Sequence, residues 1–249
     1  MTVLVIGATG TIGREVVGQL LASGREARAL TRDIARARHV LGDGVELVEG
    51  DLASTSVLAD ALNGIEGVIL THGGDSDPEG IYYGAAKALV DALAGRSIPV
   101  ALMSSINVTR GSGAYANLMN WKRRGERILR ASGAPLTIIR PGWFGSNEPR
   151  AILQQGDVQE YGSVAIEHVA QALIAGLEHP GYTVELFSGP GAPVADWGSA
   201  FGALRMDVPR ALDGFADPAT LPEASEPEPV RTALTRARAL DRRDRRPST

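Results

Sequence analysis

The hydrophobic residues of this chain fall into short runs that alternate with longer amphipathic stretches. The short runs predict strands at Val3–Ile6, Ala27–Leu30, Val45–Val48, Val68–Leu70, Val100–Met103 and Leu136–Ile139. The amphipathic stretches predict helices at Arg14–Ala22, Ile34–Leu41, Ser56–Leu62, Gly80–Leu93 and Ala114–Ala131. Apolar strands separated by helices are typical of a parallel sheet that is buried on both faces. With right-handed crossovers, this pattern predicts an α/β fold with a doubly wound, Rossmann-type parallel sheet.

The alternation becomes less regular after Pro141. The segments predicted there are a helix at Ile166–Leu177, a strand at Thr183–Phe187, an irregular stretch at Asp207–Pro229 and a final helix at Thr232–Leu240. We therefore predict a single domain over residues 1–249, in which roughly 142–230 form a smaller C-terminal region on the substrate side. Residues 241–249 form a basic tail, which we predict to be mobile and solvated because chain ends are ordered only when packing holds them.

A glycine-rich segment, GATGTIG at Gly7–Gly13, links the first predicted strand to the first predicted helix. Gly7 permits a tight turn, Gly10 permits close approach of a pyrophosphate, and Gly13 permits close packing of helix on strand. The N–H groups and the positive dipole end of a helix attract phosphate. Because glycine-rich turns are also common as plain turns, it is the strand–turn–helix order that favours dinucleotide binding.

Composition narrows the possible functions. The net charge of −4 gives no general attraction to nucleic acid or to anionic membranes, and the absence of cysteine excludes disulfides and thiolate metal sites. No apolar run approaches the roughly 20 residues that span a bilayer. The histidines lack helical ligand spacing, so no metal site is predicted; they are His39, His72, His168 and His179. Met1 precedes the first strand directly, so we expect no signal segment and a cytoplasmic protein.

Together these motifs resemble those of the atypical short-chain dehydrogenase/reductases, in the NmrA-like NAD(P)H-binding group. The resemblance covers roughly residues 1–190. It rests on the glycine pattern of Gly7–Gly13, on Gly50-Asp51-Leu52, on Met103-Ser104-Ser105, on Trp121-Lys122 and on Arg140-Pro141-Gly142-Trp143-Phe144. The resemblance implies a nicotinamide cofactor that lies across the carboxyl edge of the sheet, and a small-molecule substrate.

The resemblance and the position of each residue at that edge give the cofactor-binding set. Its members are Gly7, Thr9, Gly10, Thr11, Ile12, Gly13, Arg32, Asp51, Leu52, Thr71, His72, Gly73, Ser104, Lys122, Pro141, Gly142 and Trp143. Several of them have open alternatives, among them Asp51 and His72. Asp51 either contacts the adenine or caps the helix near Ser54, and His72 is a pocket wall, a substrate contact or a proton donor.

The end of the second strand predicts which cofactor is bound. NAD-specific sites place an acid there for the ribose hydroxyls, whereas this strand ends in Thr31-Arg32. A guanidinium can hold a 2′-phosphate, which an acid would repel. We therefore predict NADPH over NADH, with Arg36 as a second cation. The alternative is that Arg32 and Arg36 are surface residues paired with Asp33 or with other acids.

Reduction of a carbonyl also needs a proton, and here the chain departs from the family pattern. The family takes that proton from a tyrosine four residues before the lysine, but Leu118 stands at that position before Lys122. The predicted catalytic residues are Ser105, Lys122 and Tyr115. Tyr115 lies two helical turns from Lys122, about 10 Å away, so water or the substrate itself stays an alternative proton source.

We thus predict an NADPH-dependent oxidoreductase that reduces a small, largely apolar carbonyl, enone or quinone-like compound without the usual tyrosine. One alternative is a non-catalytic NADP(H) sensor with Asp207–Pro229 as its partner surface, and another is a cofactor-bound isomerase or dehydratase. No nucleic-acid or membrane partner is expected. Association into a homodimer is left open.

Overall fold

The computed structural model describes residues 1–74, 76–111 and 113–244 of the chain. Its strands are β1 (Thr2–Ile6), β2 (Glu26–Thr31), β3 (Glu46–Glu49), β4 (Gly67–Leu70), β5 (Val100–Met103), β6 (Leu136–Pro141), β7 (Trp143–Phe144), β8 (Arg150–Gln154), β9 (Ser163–Val164) and β10 (Thr183–Gly189). Its helices are α1 (Thr11–Ala22), α2 (Ile34–Leu41), α3 (Thr55–Ala61), α4 (Ala85–Leu93), α5 (Ala116–Ala131), α6 (Ile166–Glu178), α7 (Trp197–Gly202) and α8 (Glu228–Asp244).

Eight strands form one sheet in the order β3-β2-β1-β4-β5-β6-β10-β8. The pairs are parallel, apart from the antiparallel edge pair of β8 with β10. The strand order reverses at β1, whose neighbours are β2 and β4. In open α/β sheets a ligand binds outside the carboxyl ends of the strands at such a reversal. The predicted doubly wound, Rossmann-type fold is therefore confirmed, and the glycine turn that follows β1 lies at this position.

Helices cover both faces of the sheet. One apolar core joins the sheet to α1 and α6 and contains Val16, Val17 and Leu173. The other core lies beneath α3, α4, α5 and α8 and contains Leu89 and Leu234. Both cores consist mainly of small aliphatic side chains, as expected for closely packed layers. Within the described ranges, none of the helices combines the length and the apolar character that crossing a membrane requires.

Several boundaries differ from the sequence prediction. The predicted helix Gly80–Leu93 consists of a π-helical turn, Glu79–Gly84, followed by α4. Helix α5 is preceded by a 3₁₀ turn at Gly113–Tyr115. Helix α8 continues to Asp244, so the first four residues of the predicted tail are helical, and residues 245–249 lie outside the described residues.

An ion-pair layer holds the segment 207–226 against α5 and β6. Arg140 bonds to both Glu126 and Asp217 at 2.7–3.0 Å, and Arg127 bonds to Asp213 and Glu226 at 2.7–3.0 Å. Burial alone would raise the pKa of Asp217, but its hydrogen bonds to Arg140 hold that pKa below its ordinary value. Acidic side chains of the predicted irregular segment thus bind inward, to arginines of the domain core.

Candidate cofactor and active site

The glycine turn has a geometry that only glycine permits. Gly7 has a φ of +86°, and a Cβ there would lie 2.6 Å from the backbone nitrogen of His72. A Cβ on Gly13 would lie 2.1 Å from the carbonyl oxygen of Gly7. Both contacts are shorter than real Cβ contacts, so the turn, β4 and the start of α1 can approach one another only because these side chains are absent.

The N-terminus of α1 has no side-chain cap. Asp33 caps α2 and Ser54 caps α3, whereas Gly10 leaves α1 uncapped, as α4, α5 and α6 also are, and the first turn of α1 holds no acid. Gly10 therefore offers no side-chain acceptor to the N–H groups of Thr11 and Ile12. An uncapped helix start beside a glycine turn fits a pyrophosphate, which accepts hydrogen bonds and carries negative charge.

The end of β2 exposes a guanidinium. Arg32 is exposed, and the Asp33 carboxylate accepts the backbone N–H of Arg36 at 2.9 Å, so it caps α2. Among the described residues, neither Arg32 nor Arg36 forms an ion pair. The alternative considered from the sequence, in which Asp33 or another acid pairs with these arginines, is therefore not found among the described residues.

The loop after β3 decides one of the two roles considered for Asp51. The Ser54 hydroxyl accepts the N–H of Val57 and caps α3. Asp51 is exposed, and its carboxylate accepts the N–H of Ala53 at 2.8 Å. Leu52 packs against the core beneath α3 and α4. Asp51 is therefore not the helix cap, and its remaining carboxylate capacity faces solvent.

Two residues after β4 have clear local roles. Thr71 is buried and donates its hydroxyl to the carbonyl of Ile6 at 3.1 Å, which ties β4 to β1. The Nε2 atom of His72 lies 2.7 Å from the carbonyl of Ile81, so Nε2 carries the proton. Burial lowers the pKa of His72 to about 4, although this hydrogen bond opposes the change. His72 is thus neutral near pH 7, with Nδ1 as an acceptor.

Polar atoms converge between the ends of β4 and β5 and the start of α5. Ser104 Oγ and His72 Nδ1 are both buried and lack a hydrogen-bond partner within the described residues. They line a small cavity of about 10 Å³ together with Lys122 and Tyr82. That volume is close to the space for one water molecule. Ser105, one residue on, instead donates its hydroxyl to the sulfur of Met119 at 3.7 Å.

The structure gives the other two predicted catalytic residues different surroundings. Tyr115 lies on the 3₁₀ turn before α5 and is 62% exposed. Lys122 lies 4.9 Å from the ring centroid of Tyr82, a residue that the sequence analysis did not single out. Tyr82 lies on the predicted helical segment that follows β4. No local motif in the sequence indicates that this residue contacts Lys122.

The segment after β6 begins the region that the sequence pattern predicted to lie on the substrate side. Pro141 ends β6, and Gly142 donates its N–H to Leu186 at 3.0 Å. Trp143 and Phe144 form β7, which pairs with β9, and their side chains are 64% and 49% exposed. These aromatic rings are therefore exposed and belong to neither core.

A buried carboxylate fixes the loop that follows β5. Asp157 is fully buried, and it accepts the N–H groups of Asn107 and Thr109 at 2.6 and 2.8 Å. The Thr109 hydroxyl donates to it at 2.6 Å. This set of bonds positions the chain after Ser104 and Ser105. No local pattern in the sequence predicts this role of Asp157, because its partners lie about 50 residues away.

A large cavity of about 660 Å³ opens next to β7. Its lining residues are Gly145, Ser146, Asn147, Glu148, Pro149, Ala165, Ile166, Glu167, His168, Gln171, Pro193, Val194 and Trp197. His168 lies at the start of α6 and its Nδ1 is 2.8 Å from Ser188 Oγ, which receives the Ala165 N–H. The size suits a small organic ligand. Among the described residues, no group of three potential ligands could hold a metal.

The residues present fit a dinucleotide. The crowded glycines leave room for a pyrophosphate at an uncapped helix, and Ser104 Oγ and His72 Nδ1 are buried polar atoms that still need partners. Buried polar groups are normally hydrogen-bonded, so such atoms indicate a place that a ligand or water completes.

Comparisons with known proteins agree with this geometry. A family model described as NAD(P)H-binding matches residues 7–180. An NAD(P)H azoreductase of Xenophilus azovorans is 26% identical over 245 residues, which cover 89% of this chain and 84% of that protein. The photosystem II assembly factor Ycf39 of Cyanophora paradoxa is 35% identical over 144 residues, 56% of this chain. The match covers 44% of that relative, so the chain spans less than half of its length.

The oxidoreductase ylbE of Lactococcus lactis has a similar fold. Its crystal structure superposes with a TM-score of 0.69 at 20% identity, over 82% of this chain and 96% of that one. At this identity the likeness concerns the fold. The family model spans well over half of the chain and includes the glycine turn, β4, β5 and α5, which confirms the resemblance. The chain belongs to the NAD(P)H-binding family.

Proposed function

We propose that this protein is an NADPH-dependent reductase of a small, uncharged, largely apolar carbonyl, enone or quinone-like compound. The observation that carries the proposal is the group of buried polar atoms at the carboxyl edge of the sheet. Ser104 Oγ and His72 Nδ1 lack partners beside Lys122, in a chain that belongs to an NAD(P)H-binding family. Its relatives include a protein named as an NAD(P)H azoreductase.

The preference for NADPH rests on the end of β2. Arg32 is exposed and has no ion pair within the described part of the chain. A 2′-phosphate there would pair with a guanidinium instead of meeting an acid. Asp33 does not compete for this role, because its carboxylate caps α2.

The substrate class rests on the lining of the large cavity. Pro149, Ile166, Val194 and Trp197 give it apolar walls. Glu148 and Glu167 add negative charge, while His168 offers a polar ring atom. Acids at the cavity disfavour an anionic substrate, and apolar walls favour a flat organic molecule with a single polar group.

The residues of the site divide the work of a reduction. The cofactor, when bound, supplies a hydride. Ser104 donates a hydrogen bond towards an oxygen at the cavity, and Lys122 supplies a positive charge that stabilises negative charge developing there. Leu118 cannot donate a proton, so the proton of the reduction must come from another group.

A screen of NADPH oxidation against quinones, enones and aromatic ketones tests the proposal. We expect turnover with at least one neutral compound. Gly13→Ala should abolish it, because the added Cβ meets the Gly7 carbonyl. Gly18→Ala is the matched control, since a Cβ there meets no atom within 4 Å. No turnover by the wild type with any of these compounds, despite NADPH binding, would overturn the reductase proposal.

The same outcome would favour the second candidate, a non-catalytic NADP(H) sensor. Two observations support that candidate: Leu118 stands where the family's tyrosine is expected, and one relative is named as an assembly factor. A sensor should bind NADPH tightly and change its protein partner when the cofactor is oxidised. Pull-down from a cell extract with NADPH or with NADP⁺ would separate it from an enzyme.

A further inference from the structure

A π-helical turn stands between β4 and α4, at Glu79–Gly84. Such turns are rare and frequently occur at functional sites. Helix α5 approaches this turn very closely at Gly125, where a Cβ would lie 2.6 Å from the carbonyl oxygen of Tyr82. The absence of a side chain at Gly125 therefore brings Lys122, one helical turn earlier on α5, next to the π-helical turn.

This approach places a cation on the face of a phenol. Lys122 Nζ lies 4.9 Å from the centroid of the Tyr82 ring, within the range of a cation–π contact. The backbone N–H of Gly74 donates to Tyr82 Oη at 3.1 Å. An ammonium group and an N–H donor both stabilise negative charge on a phenolate. Because Oη accepts from Gly74, the proton of Tyr82 points elsewhere.

Tyr82 also belongs to the group of polar side chains at the carboxyl edge of the sheet. It lines the small cavity with His72, Ser104 and Lys122. A Cβ on Gly73, directly after His72, would lie 3.3 Å from Tyr82 Oη. The hydroxyl thus sits against the loop that follows β4, where an α/β sheet binds its ligand.

The other tyrosines near α5 lack this combination. Tyr115 is 62% exposed on the 3₁₀ turn. Tyr83 is buried against Trp121, with ring centroids 5.6 Å apart, and burial raises its pKa to about 12. Tyr83 is the direct neighbour of Tyr82 on the same turn, so the two phenols form a natural matched pair for experiment.

We infer that Tyr82 replaces the absent tyrosine at position 118 by pairing with Lys122 from a different helix, and that Tyr82 is the proton donor of the reaction. The second half of this inference rests on the proposed reductase function. Bound NADPH would supply the hydride for the new C–H bond as the carbonyl π bond breaks, and the Tyr82 O–H proton would move to the carbonyl oxygen. Lys122 and the Gly74 N–H stabilise the phenolate, which takes a proton from water.

A tyrosine titration without any ligand tests the pairing. The chain has five tyrosines, and ultraviolet difference absorbance follows their ionisation. We expect one of them to ionise at lower pH than the rest, because a nearby cation and an N–H donor both favour the charged form of a phenol. That early step should vanish in Tyr82→Phe, move to higher pH in Lys122→Met and persist in Tyr83→Phe. An early step that survives in Tyr82→Phe, or none in the wild type, would overturn the pairing.

Kinetics with the quinone or enone found in the screen test the donor role. Tyr82→Phe should lower kcat about 100-fold or more and remove the alkaline limb of its pH profile. The dissociation constant of NADPH, measured by fluorescence, should stay unchanged in this variant. Tyr83→Phe should match the wild type in both measurements. A Tyr82→Phe enzyme with normal kcat contradicts the donor role even if the pairing holds. A wild type without turnover overturns the proposed function and the donor role, whereas the titration result stands independently.

Discussion

Two regions of this molecule use buried polar groups in opposite ways. In the ion-pair layer, Arg140 and Arg127 are 99% buried, and all three nitrogens of each guanidinium bond to groups of the chain. At the carboxyl edge of the sheet, Ser104 Oγ and His72 Nδ1 are buried without a partner in the described residues. A completed network stabilises one packing of the chain, whereas an unpaired buried atom calls for a partner from a ligand or from water.

The largest expected effect comes from breaking the completed network. Arg140→Met should lower the free energy of unfolding by about 3–5 kcal/mol, because it leaves Glu126 and Asp217 buried without their partner. Urea unfolding at neutral pH measures this change. The control is Arg238→Met, which removes a surface pair with Glu223 and should cost less than about 1 kcal/mol. Equal losses in the two variants would remove the distinction between the regions.

A smaller change in the free energy of unfolding should come from the titration of His72, which belongs to the incomplete network. The pKa of His72 is lowered to about 4 in the folded protein, from an ordinary value of 6.5. As the pH falls, the unfolded chain therefore binds a proton at this histidine before the folded protein does. The contribution of neutral His72 to the free energy of unfolding is complete above about pH 6.5 and is lost as the pH falls towards 4. Between these limits the wild type should lose about 2–3 kcal/mol more than His72→Gln.

Unfolding curves of both proteins at several pH values check this prediction. The exposed His39 gives the control, since His39→Gln should keep the wild-type pH dependence. Identical pH dependence of the wild type and His72→Gln would show that His72 is not held neutral by burial. The carboxylates of the ion-pair layer should be protonated only at lower pH. The pKa of Asp217 lies below its ordinary value, so the stability that this ionised carboxylate contributes is lost only as the pH falls through that lowered pKa.

The smallest expected effect concerns the exposed end of the cofactor site. Arg32→Gln should weaken NADPH binding about tenfold and leave NADH binding unchanged, because the lost guanidinium would contact only the 2′-phosphate. Fluorescence titration with both cofactors measures the two dissociation constants. Arg38→Gln on α2 is the control, since that guanidinium lies near Asp43 at 3.6 Å. An equal loss for both cofactors would argue against a phosphate contact at Arg32.

The sequence predicts the cofactor edge better than the ion-pair layer because the cofactor edge is locally encoded. Strand, glycine turn and helix follow one another within β1 and α1, and each glycine has its own steric reason. The partners of Arg140 lie 14 and 77 residues away, and no periodicity relates such positions. The irregular composition of Asp207–Pro229 indicated a surface segment, but only the folded structure assigns its acids to buried arginines.

The same limit applies inside the candidate site. The spacing of Leu118 and Lys122 on one helix is visible in the sequence and predicts a missing hydroxyl. The contact of Lys122 with Tyr82 joins two helices 40 residues apart and depends on the close approach at Gly125. A motif on a single element can thus indicate what is absent, while the replacement is found only in three dimensions.

A crystal structure of the complex with NADP⁺ tests the central claim most directly, because it shows which of the unpaired polar groups contact the cofactor. We expect the pyrophosphate on the N–H groups at the start of α1, the 2′-phosphate beside Arg32, and the nicotinamide end against Ser104, Lys122 and Tyr82. A cofactor bound elsewhere, or one that leaves Ser104 and Lys122 without contact, would contradict a cofactor site at this edge of the sheet.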